Sequence, residues 1–383
     1  MISKYWQTCP VTFGSGALKR LPMIMRETGI TRPVIVTGPS VSKAAGFENL
    51  KTLLAEEKTE YCIYDRMKMD APDTLCTEAA DLGMAFGADG VIAFGGGSCL
   101  DAGKAVAVLC ANPEQTILEL ITGTPFKNRA LPMILIPTTA GTGSENTIFA
   151  VISCSADGRK RSLFVSASAA IVDPELTLST PASVTAFTGM DALAHSVEAY
   201  TSIRPGPHSD MMSLNAVRRI TKWLPIACRE PENLAARENL ALASNFAGIA
   251  FNNASTHIGH AAAHAIGAVH HVPHGVACAW VTPEVLKLMA KYLPERARDL
   301  ADALEITVPG NAEESELGRR LAAGVRSLMR EIGIPAPADF ELDEEKMASC
   351  GDYAVTEKLR GLCAAPVTDD EVRQILINCT KEY

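Results

Sequence analysis

The sequence predicts an α/β protein of two domains, with an α/β domain over residues 1–180 and an all-helical domain over residues 181–383. Two observations predict this division. Between about residue 30 and residue 180, short β-branched runs alternate with alanine-rich segments, as in a parallel sheet flanked by helices. Beyond the Ser/Thr/Pro cluster at residues 177–185, long helical patterns replace the strand-like runs.

Five apolar runs are the candidate strands, and each of them ends in loop-forming residues. They are RPVIVTG, TEYCIYD, DGVIAFGGG, LPMILIPTT and SAAIVDPEL. Parallel strands place their carboxyl ends at one edge of the sheet, and ligands are expected there. Helical patterns cover residues 190–201, 209–228, 235–268 and 313–331.

The composition favours a globular enzyme that acts on small molecules. Of 383 residues, 47% are hydrophobic and 21% are charged, and the net charge is −9. This acidic balance, without any run of Lys or Arg, argues against nucleic acid and anionic membranes as partners. We expect a cytoplasmic protein, because no apolar stretch reaches ~18 residues and the first residues lack the pattern of a signal peptide.

Eleven cysteines are scattered along the chain and form no CxxC pair. Neither a disulfide framework nor a zinc ribbon is therefore predicted. None of the cysteines lies in a recognisable motif that activates a thiolate, so we expect mostly buried thiols in a reducing compartment.

A glycine-rich loop follows the third candidate strand in VIAFGGGSCLDAGKAVAV. Gly95, Gly96, Gly97 and Ser98 precede a helix that we expect to begin near residues 100–101. Free N–H groups at a helix start suit a phosphate or pyrophosphate, and glycine allows a close approach. An ordinary strand-to-helix turn is the alternative, although three consecutive glycines exceed what such a turn needs.

A second polar loop, IPTTAGTGSENT, follows the next candidate strand at residues 136–147. Its hydroxyl groups and glycines suit a flat or charged ligand. Such loops are common, but two of them after neighbouring strands indicate one extended nucleotide site.

Histidines are concentrated in HIGHAAAHAIGAVHHVPHG, where six of the eight in the chain lie between residues 257 and 275. Asp191 and His195, in GMDALAHSVEAY, stand four residues apart and project from one face of a predicted helix. His260 and His264 repeat this spacing, and we expect His274 in a loop beyond them.

One carboxylate and several imidazoles suit a divalent first-row transition metal. The alternative is a hydrogen-bonded pair on an exposed helix. Several imidazoles in an apolar helical segment would be costly without a shared partner, which favours the metal. We expect His257, His270 and His271 to be surface residues or partners of the ligands.

The chain resembles the iron-containing (group III) alcohol dehydrogenase family nearly from end to end. The resemblance is carried by FGSGALKRLP, GADGVIAFGGGSCLDAGKAVAV, PTTAGTGSE, AIVDPELT, GMDALAHSVEAY and FNNASTHIGHAAAHAIGAVHHVPHG. It implies the dehydroquinate synthase-like fold, in which a Rossmann-like dinucleotide-binding domain precedes a helical domain and a metal lies in the cleft. It also implies a homodimer or larger homo-oligomer.

The resemblance also implies roles for individual residues. The metal ligands would be Asp191, His195, His260 and His274, and His264 would lie near the substrate. The pyrophosphate and the nicotinamide ribose would be bound by Gly96, Gly97, Ser98 and Asp101. The adenosine side would be bound by Thr138, Thr139 and Thr142, with further cofactor contacts from Lys160 and Leu178. The substrate pocket would include Phe149, Phe251 and Cys363.

One departure from the family pattern concerns the choice of cofactor. Many members carry an acidic residue after the first strand, where it binds the adenine ribose and repels a 2′-phosphate. Gly38 stands there in this chain, and Ser40 is close enough in sequence to donate to a phosphate. We therefore expect NADP to be tolerated or preferred over NAD.

The predicted reaction is reversible hydride transfer between NAD or NADP and a small primary alcohol or aldehyde, with Fe(II) or alternatively Zn(II) as the metal. Diols and small anionic aldehydes are also compatible with the sequence as substrates. One alternative is a lyase or cyclase of the dehydroquinate synthase type, but residues 189–201 lack the basic residues that a phosphorylated substrate requires. Polyol oxidation of the glycerol dehydrogenase type is another alternative, although those enzymes use three ligands. A metal-binding protein without catalysis would leave the glycine loop unexplained.

Overall fold

The computed structural model describes residues 4–381. The chain divides into two compact units. The sheet unit comprises residues 7–139 and 143–180, and the helical unit comprises residues 4–6, 140–142 and 181–381. The predicted domains extend to residues 1–3 and 382–383, which lie outside the described residues, and they assign residues 4–6 and 140–142 to the first domain.

The sheet unit contains the strands of the described chain. They are β1 (Val11–Phe13), β2 (Pro33–Val36), β3 (Cys62–Tyr64), β4 (Gly90–Gly95), β5 (Met133–Pro137), β6 (Phe149–Ser153), β7 (Lys160–Phe164) and β8 (Ala169–Val172). Six of them form a parallel sheet in the order β1-β8-β5-β4-β2-β3, and β6 pairs with β7 in an antiparallel hairpin.

The five predicted strands are confirmed as β2, β3, β4, β5 and β8. Four of them are buried at every position because helices cover both faces of a parallel sheet. Strand β1 was not predicted, since its three residues are too few for a pattern. The hairpin was also missed, because β7 reads KRSLF and has one buried residue.

Fifteen α-helices are described. The sheet unit contains α1 (Leu21–Thr28), α2 (Ala45–Glu56), α3 (Asp73–Phe86), α4 (Gly97–Ala111) and α5 (Ile117–Ile121). The helical unit contains α6 (Ala182–Tyr200), α7 (Pro207–Arg229), α8 (Leu234–Ala254), α9 (Ile258–His270), α10 (His274–Tyr292), α11 (Pro294–Ala303), α12 (Glu314–Glu331), α13 (Glu344–Ser349), α14 (Gly351–Thr356) and α15 (Asp369–Lys381). None of these helices has the length and apolar character needed to cross a membrane.

Two predicted boundaries in the helical unit are wrong. The single helix expected over residues 235–268 is broken between α8 and α9, where Ser255 has a φ of +81°. His274 is not in a loop but is the first residue of α10. The following Gly275 lies in the first turn of α10, where a Cβ would lie 2.1 Å from the carbonyl oxygen of Phe187. This glycine allows α10 to approach α6 closely and does not mark a loop, as the sequence had suggested.

Helix α4 packs directly on strand β4. A Cβ added to Gly103 would lie 2.4 Å from the Cβ of Ala93. The lack of a side chain at Gly103 therefore allows the helix that follows the glycine loop to pack closely against the sheet.

We predict that Gly103→Ala destabilises the sheet unit by about 1–3 kcal/mol, because the new methyl group must push α4 away from β4. Thermal unfolding followed by calorimetry measures the effect. Gly361→Ala is the matched control, since no atom lies within 4 Å of its added Cβ. Equal melting temperatures for the two variants would contradict the packing argument.

Candidate metal centre and nucleotide site

Helix α6 presents Asp191 and His195 on one buried face. The two side chains are four residues apart, and the residues are 3% and 6% exposed. His195 Nε2 lies 3.8 Å from Asp191 Oδ1. The predicted pair is thus together inside the helical unit.

The two other predicted ligands approach the same carboxylate oxygen from α9 and α10. His260 Nε2 lies 3.7 Å from Asp191 Oδ1, and His274 Nε2 lies 3.4 Å from it. The His195 and His260 rings stack with centroids 4.5 Å apart. Each of the three predicted histidine ligands therefore has a nitrogen within 3.8 Å of Asp191 Oδ1. The donor atoms that all lie within 4.8 Å of one another belong to Asp191, His260, His274 and Cys278, and His195 is outside that group.

These donor atoms fit a divalent metal ion. Two donors bound about 2.0–2.1 Å from an ion at the tetrahedral angle lie about 3.3–3.4 Å apart, close to the 3.4–3.8 Å found around Asp191. Asp191 Oδ1 is also buried without a hydrogen-bond partner. A buried carboxylate oxygen in that state is costly, and a cation would satisfy it.

Glu198, two turns after Asp191 on α6, orients one of the histidines. Its Oε1 lies 2.7 Å from His260 Nδ1, and its Oε2 accepts the backbone N–H of His257. An Nδ1–H that donates to Glu198 leaves the Nε2 lone pair directed at Asp191. Sequence reasoning missed Glu198, although an acidic residue three positions after His195 in an apolar helix was a signal.

The electrostatics of the cluster favour an ionised carboxylate. Burial raises the pKa of Asp191, but His195 and His274 outweigh it, and the net pKa lies well below its usual value. Burial likewise raises the pKa of Glu198, yet His260 and His257 lower it to about 2. Burial lowers the pKa of His195 to about 4, which leaves its imidazole neutral. Burial opposes protonation of His260 and His274, but the nearby negative charges outweigh it and raise the pKa of His260 well above its usual value and that of His274 to about 9. A metal ion would have to displace a proton from each of these two rings, because imidazole binds metals in its neutral form.

Cys278 also lies in this cluster, and sequence reasoning gave it no role. Its Sγ is 3.6 Å from His274 Nε2 and 4.0 Å from His260 Nε2. Burial raises the pKa of its thiol, but the two histidines outweigh burial and the net shift is downward. A single cysteine has no characteristic spacing to other residues in the sequence, so its position in the cluster is seen only in the folded structure.

His264 and Phe251 border the cluster. The His264 ring centroid lies 5.4 Å from that of His274, and the Phe251 ring stacks on His195 at 4.3 Å. Cys363 is buried and forms a backbone bridge with Ser202. Its place in a substrate pocket stays a prediction.

The remaining histidines of the predicted cluster have other partners. His257 is fully buried, and its Nε2 lies 2.8 Å from Thr201 Oγ1. His270 Nε2 contacts the carbonyl oxygen of Lys346, and His271 is exposed at the end of α9.

In the sheet unit, the two predicted nucleotide loops lie side by side. Helix α4 begins at Gly97, three residues earlier than predicted, because the extended Gly96 directly precedes it. The backbone N–H of Thr138 donates to the carbonyl of Gly95, and Thr139 contacts the position of a Gly96 Cβ. The N-terminus of a 15-residue helix thus stands next to the second loop. Thr142, from the same loop, belongs to the helical unit.

Asp101 is held by groups of its own unit. Its Oδ1 accepts a hydrogen bond from Ser144 Oγ at 2.5 Å, and its Oδ2 accepts one from the Val151 N–H at 3.0 Å. Lys104, which is fully buried, donates to the carbonyls of Ser144 and Phe149. Burial lowers the pKa of Lys104 against the opposing charge of Asp101. Lys104 was missed by sequence reasoning, and it anchors the second loop to α4.

Lys160 and Ser98 meet through Asp70 beside the start of α4. Lys160 Nζ lies 2.7 Å from Asp70 Oδ1, and the Asp70 N–H donates to Ser98 Oγ at 3.0 Å. The other predicted residues of this unit lie in three places. Gly38 and Ser40 follow β2, Leu178 follows a short 3₁₀ helix, and Phe149 packs against Phe164 in the hairpin.

Comparison with known proteins identifies the family. Residues 10–174 match the model of iron-containing alcohol dehydrogenase, and residues 185–379 match that of the Fe-containing alcohol dehydrogenase family, C-terminal. The chain is 42% identical over 335 residues to the probable alcohol dehydrogenase EutG of Salmonella typhimurium, which covers 86% of this chain and 82% of the relative.

Solved structures agree with this match. A 1,3-propanediol oxidoreductase superposes with a TM-score of 0.92 at 29% identity, covering 99% of this chain and all of the other. The sulfoacetaldehyde reductase of Bifidobacterium kashiwanohense, solved in complex with NAD+, superposes with a TM-score of 0.89 at 27% identity over the full length of both. The family and the fold predicted from the motifs are confirmed. The chain belongs to the iron-containing alcohol dehydrogenase family and is a metal-dependent oxidoreductase that acts on CH–OH groups.

Proposed function

We propose that the chain catalyses reversible hydride transfer between a nicotinamide nucleotide and a small primary alcohol or its aldehyde, at a divalent metal held by Asp191, His195, His260 and His274. The observation that carries the proposal is the convergence of three imidazole nitrogens within 3.4–3.8 Å of the unpartnered Asp191 Oδ1. Iron(II) is the expected ion, and zinc suits the same donors.

The bound ion would supply Lewis acidity toward a carbonyl or hydroxyl oxygen. The protein does the rest of the work at this site. Asp191 provides the one charged ligand, Glu198 holds the proton of His260 on Nδ1, and the stacked Phe251 ring shields His195 from water. His264 is close enough to contact the substrate, where it either relays the alcohol proton or orients the alcohol.

The start of α4 is the proposed site of the nucleotide pyrophosphate. Backbone N–H groups at a helix N-terminus bind phosphate well, and Gly96 leaves no side chain in the way. The solved relative in complex with NAD+ supports a nicotinamide nucleotide as the cofactor. Small substrates are supported by the relatives that act on 1,3-propanediol and sulfoacetaldehyde.

Protein loaded anaerobically with Fe(II) and offered a panel of small aldehydes with NADH and NADPH tests the proposal. Oxidation of the nicotinamide, followed by its absorbance, is the expected result. Full activity after the metal has been stripped and chelated would refute it.

We predict that His274→Ala lowers metal affinity and activity more than about 100-fold. Removing a residue that only hydrogen-bonds a metal ligand costs about 10–100-fold, and removing the ligand itself should cost more. The variant should still bind nucleotide, since the glycine loop belongs to the other unit. Metal analysis, steady-state kinetics and nucleotide titration measure these effects. His270→Ala is the control, because His270 contacts a backbone carbonyl instead. Normal metal content in His274→Ala would disprove the assignment.

We predict that Glu198→Gln weakens metal binding by about 10–100-fold, because Gln cannot hold the Nδ1 proton of His260 as a carboxylate does. Titration against a chelator of known affinity measures the loss. Glu284→Gln is the matched control, as Glu284 is equally buried in the helical unit but pairs with Arg326. If both variants lose metal equally, Glu198 has only a structural role.

We predict that Gly38→Asp lowers kcat/KM for NADPH at least about tenfold and leaves the value for NADH within about threefold, since a carboxylate there repels a 2′-phosphate. A Cβ at this position lies 3.2 Å from the Met67 carbonyl oxygen, so a shift of a few tenths of an ångström accommodates it. A native enzyme that prefers NAD a hundredfold would contradict the interpretation of Gly38.

A further inference from the structure

Lys104 is buried in the sheet unit, and the proposed reaction gives it no direct role. The residue is 0% exposed, so no ligand can reach its ammonium group. Nζ lies 2.7 Å from the carbonyl oxygen of Ser144 and 2.5 Å from that of Phe149. It also lies 3.0 Å from Ser144 Oγ and 3.2 Å from Thr147 Oγ1. Any effect of Lys104 on a bound nucleotide must therefore pass through its neighbours.

Asp101, a predicted cofactor residue, precedes Lys104 by three positions on α4. The two side chains therefore lie on the same side of the helix. Lys104 Nζ is 3.8 Å from Asp101 Oδ1. An ammonium group has three hydrogens to donate, and all four oxygens around Lys104 are nearer to Nζ than Asp101 is. A direct hydrogen bond between the two charged groups is therefore disfavoured.

The hydroxyl of Ser144 bridges these two charged groups. Ser144 Oγ accepts an N–H of Lys104 at 3.0 Å and donates its own hydrogen to Asp101 Oδ1 at 2.5 Å. A hydroxyl that accepts from a cation is a stronger donor, because hydrogen bonds in a chain polarise one another. The N–H of Val151 donates to Asp101 Oδ2 at 3.0 Å. The carboxylate is thus fixed at both of its oxygens.

Exposure to solvent increases along this chain of hydrogen bonds. The side chain of Lys104 is 0% exposed, Ser144 is 5% exposed, and the side chain of Asp101 is 14% exposed. A carboxylate has about four lone-pair sites, so Asp101 can accept a further hydrogen bond while it is held by Ser144 and Val151. The accessible end of the chain is therefore the residue predicted to bind the nicotinamide ribose.

We propose that Ser144 is a positioning residue for the nucleotide, which links the buried charge of Lys104 to Asp101 and holds that carboxylate in its binding orientation. The inference rests on the proposed function, since it takes a nicotinamide nucleotide as the cofactor and Asp101 as a contact of its ribose. A side chain that is fixed in advance loses less conformational freedom when the ligand binds, so the affinity is higher. The effect is on nucleotide binding rather than on the chemistry at the metal.

Titration of the full chain with NADH and with NADPH, followed by the nicotinamide fluorescence, tests the proposal. Ser144→Ala leaves Lys104 its two carbonyl acceptors and removes the bridge to Asp101. We expect Kd for the nucleotide to rise at least about fivefold, since a hydrogen bond to a charged group is lost. In steady-state kinetics, KM for the nucleotide should rise likewise while kcat stays within about twofold of the native value.

Thr147→Val is the matched control. Thr147 is buried like Ser144, and its hydroxyl is also an acceptor of Lys104, but it forms no bond to Asp101. Its Kd should stay within about twofold of the native value. In an Asp101→Ala background, Ser144→Ala should change Kd less than about twofold, because the side chain through which Ser144 acts is absent. Ser144→Cys, whose S–H is a weak donor, replaces the alanine variant if that variant does not fold.

An unchanged Kd in the Ser144 variants overturns the positioning role and leaves the proposed function standing. The same conclusion follows from an equal loss of affinity in Thr147→Val, or from a full effect of Ser144→Ala in the Asp101→Ala background. A native protein that binds neither NADH nor NADPH overturns both the positioning role and the proposed function.

Discussion

The buried carboxylate of Asp191 is the constraint on which the helical unit depends. Three helices bring an imidazole nitrogen within 3.8 Å of one of its oxygens, and that oxygen has no protein hydrogen-bond donor. Their approach has a steric requirement, because Gly275 of α10 lies so close to the Phe187 carbonyl of α6 that no side chain fits between them. The same close contact between the two helices therefore also brings His274 to Asp191.

The sheet unit also contains a buried charged group, the ammonium group of Lys104. Lys104 is buried completely, and its ammonium group donates to two backbone carbonyls and to the hydroxyls of Ser144 and Thr147. A buried ammonium is stable only when such acceptors surround it. These bonds tie the second loop to α4, so the glycine loop is held by charge on one side and by sheet packing on the other.

The fold could be predicted where one stretch of sequence carries the information. The buried strands β4 and β5 were found because continuous apolar runs end in loop residues. The break at Ser255 was missed because neither Gly nor Pro marks it. The start of α10 was misplaced because Pro273 and Gly275 suggest a loop, whereas the glycine is there to contact Phe187. That contact joins residues 88 positions apart, and no local pattern records it.

The candidate site divides in the same way. Asp191 and His195 are visible because a helical period separates them, and motif resemblance supplied His260 and His274. Glu198 was missed because its partner His260 lies 62 residues away. Cys278 was missed for a related reason, since its position next to Asp191 and His260 exists only after α6, α9 and α10 have packed.

Helix α6 shows why two carboxylates on one face can have different tasks. Asp191 and Glu198 are both buried, and neighbouring histidines lower the pKa of both. The carboxylate oxygens of Glu198 have hydrogen-bond partners in the His260 ring and in backbone N–H groups. Glu198 therefore orients the His260 ring. Oδ1 of Asp191 has no such partner and faces Nε2 of His260. Burial lowers the pKa of His260, but Glu198 outweighs it and the net pKa lies well above its usual value, so without an ion the ring carries a second proton on Nε2. A metal ion would take the place of that proton between the ring and Asp191, while Glu198 keeps the other proton on Nδ1.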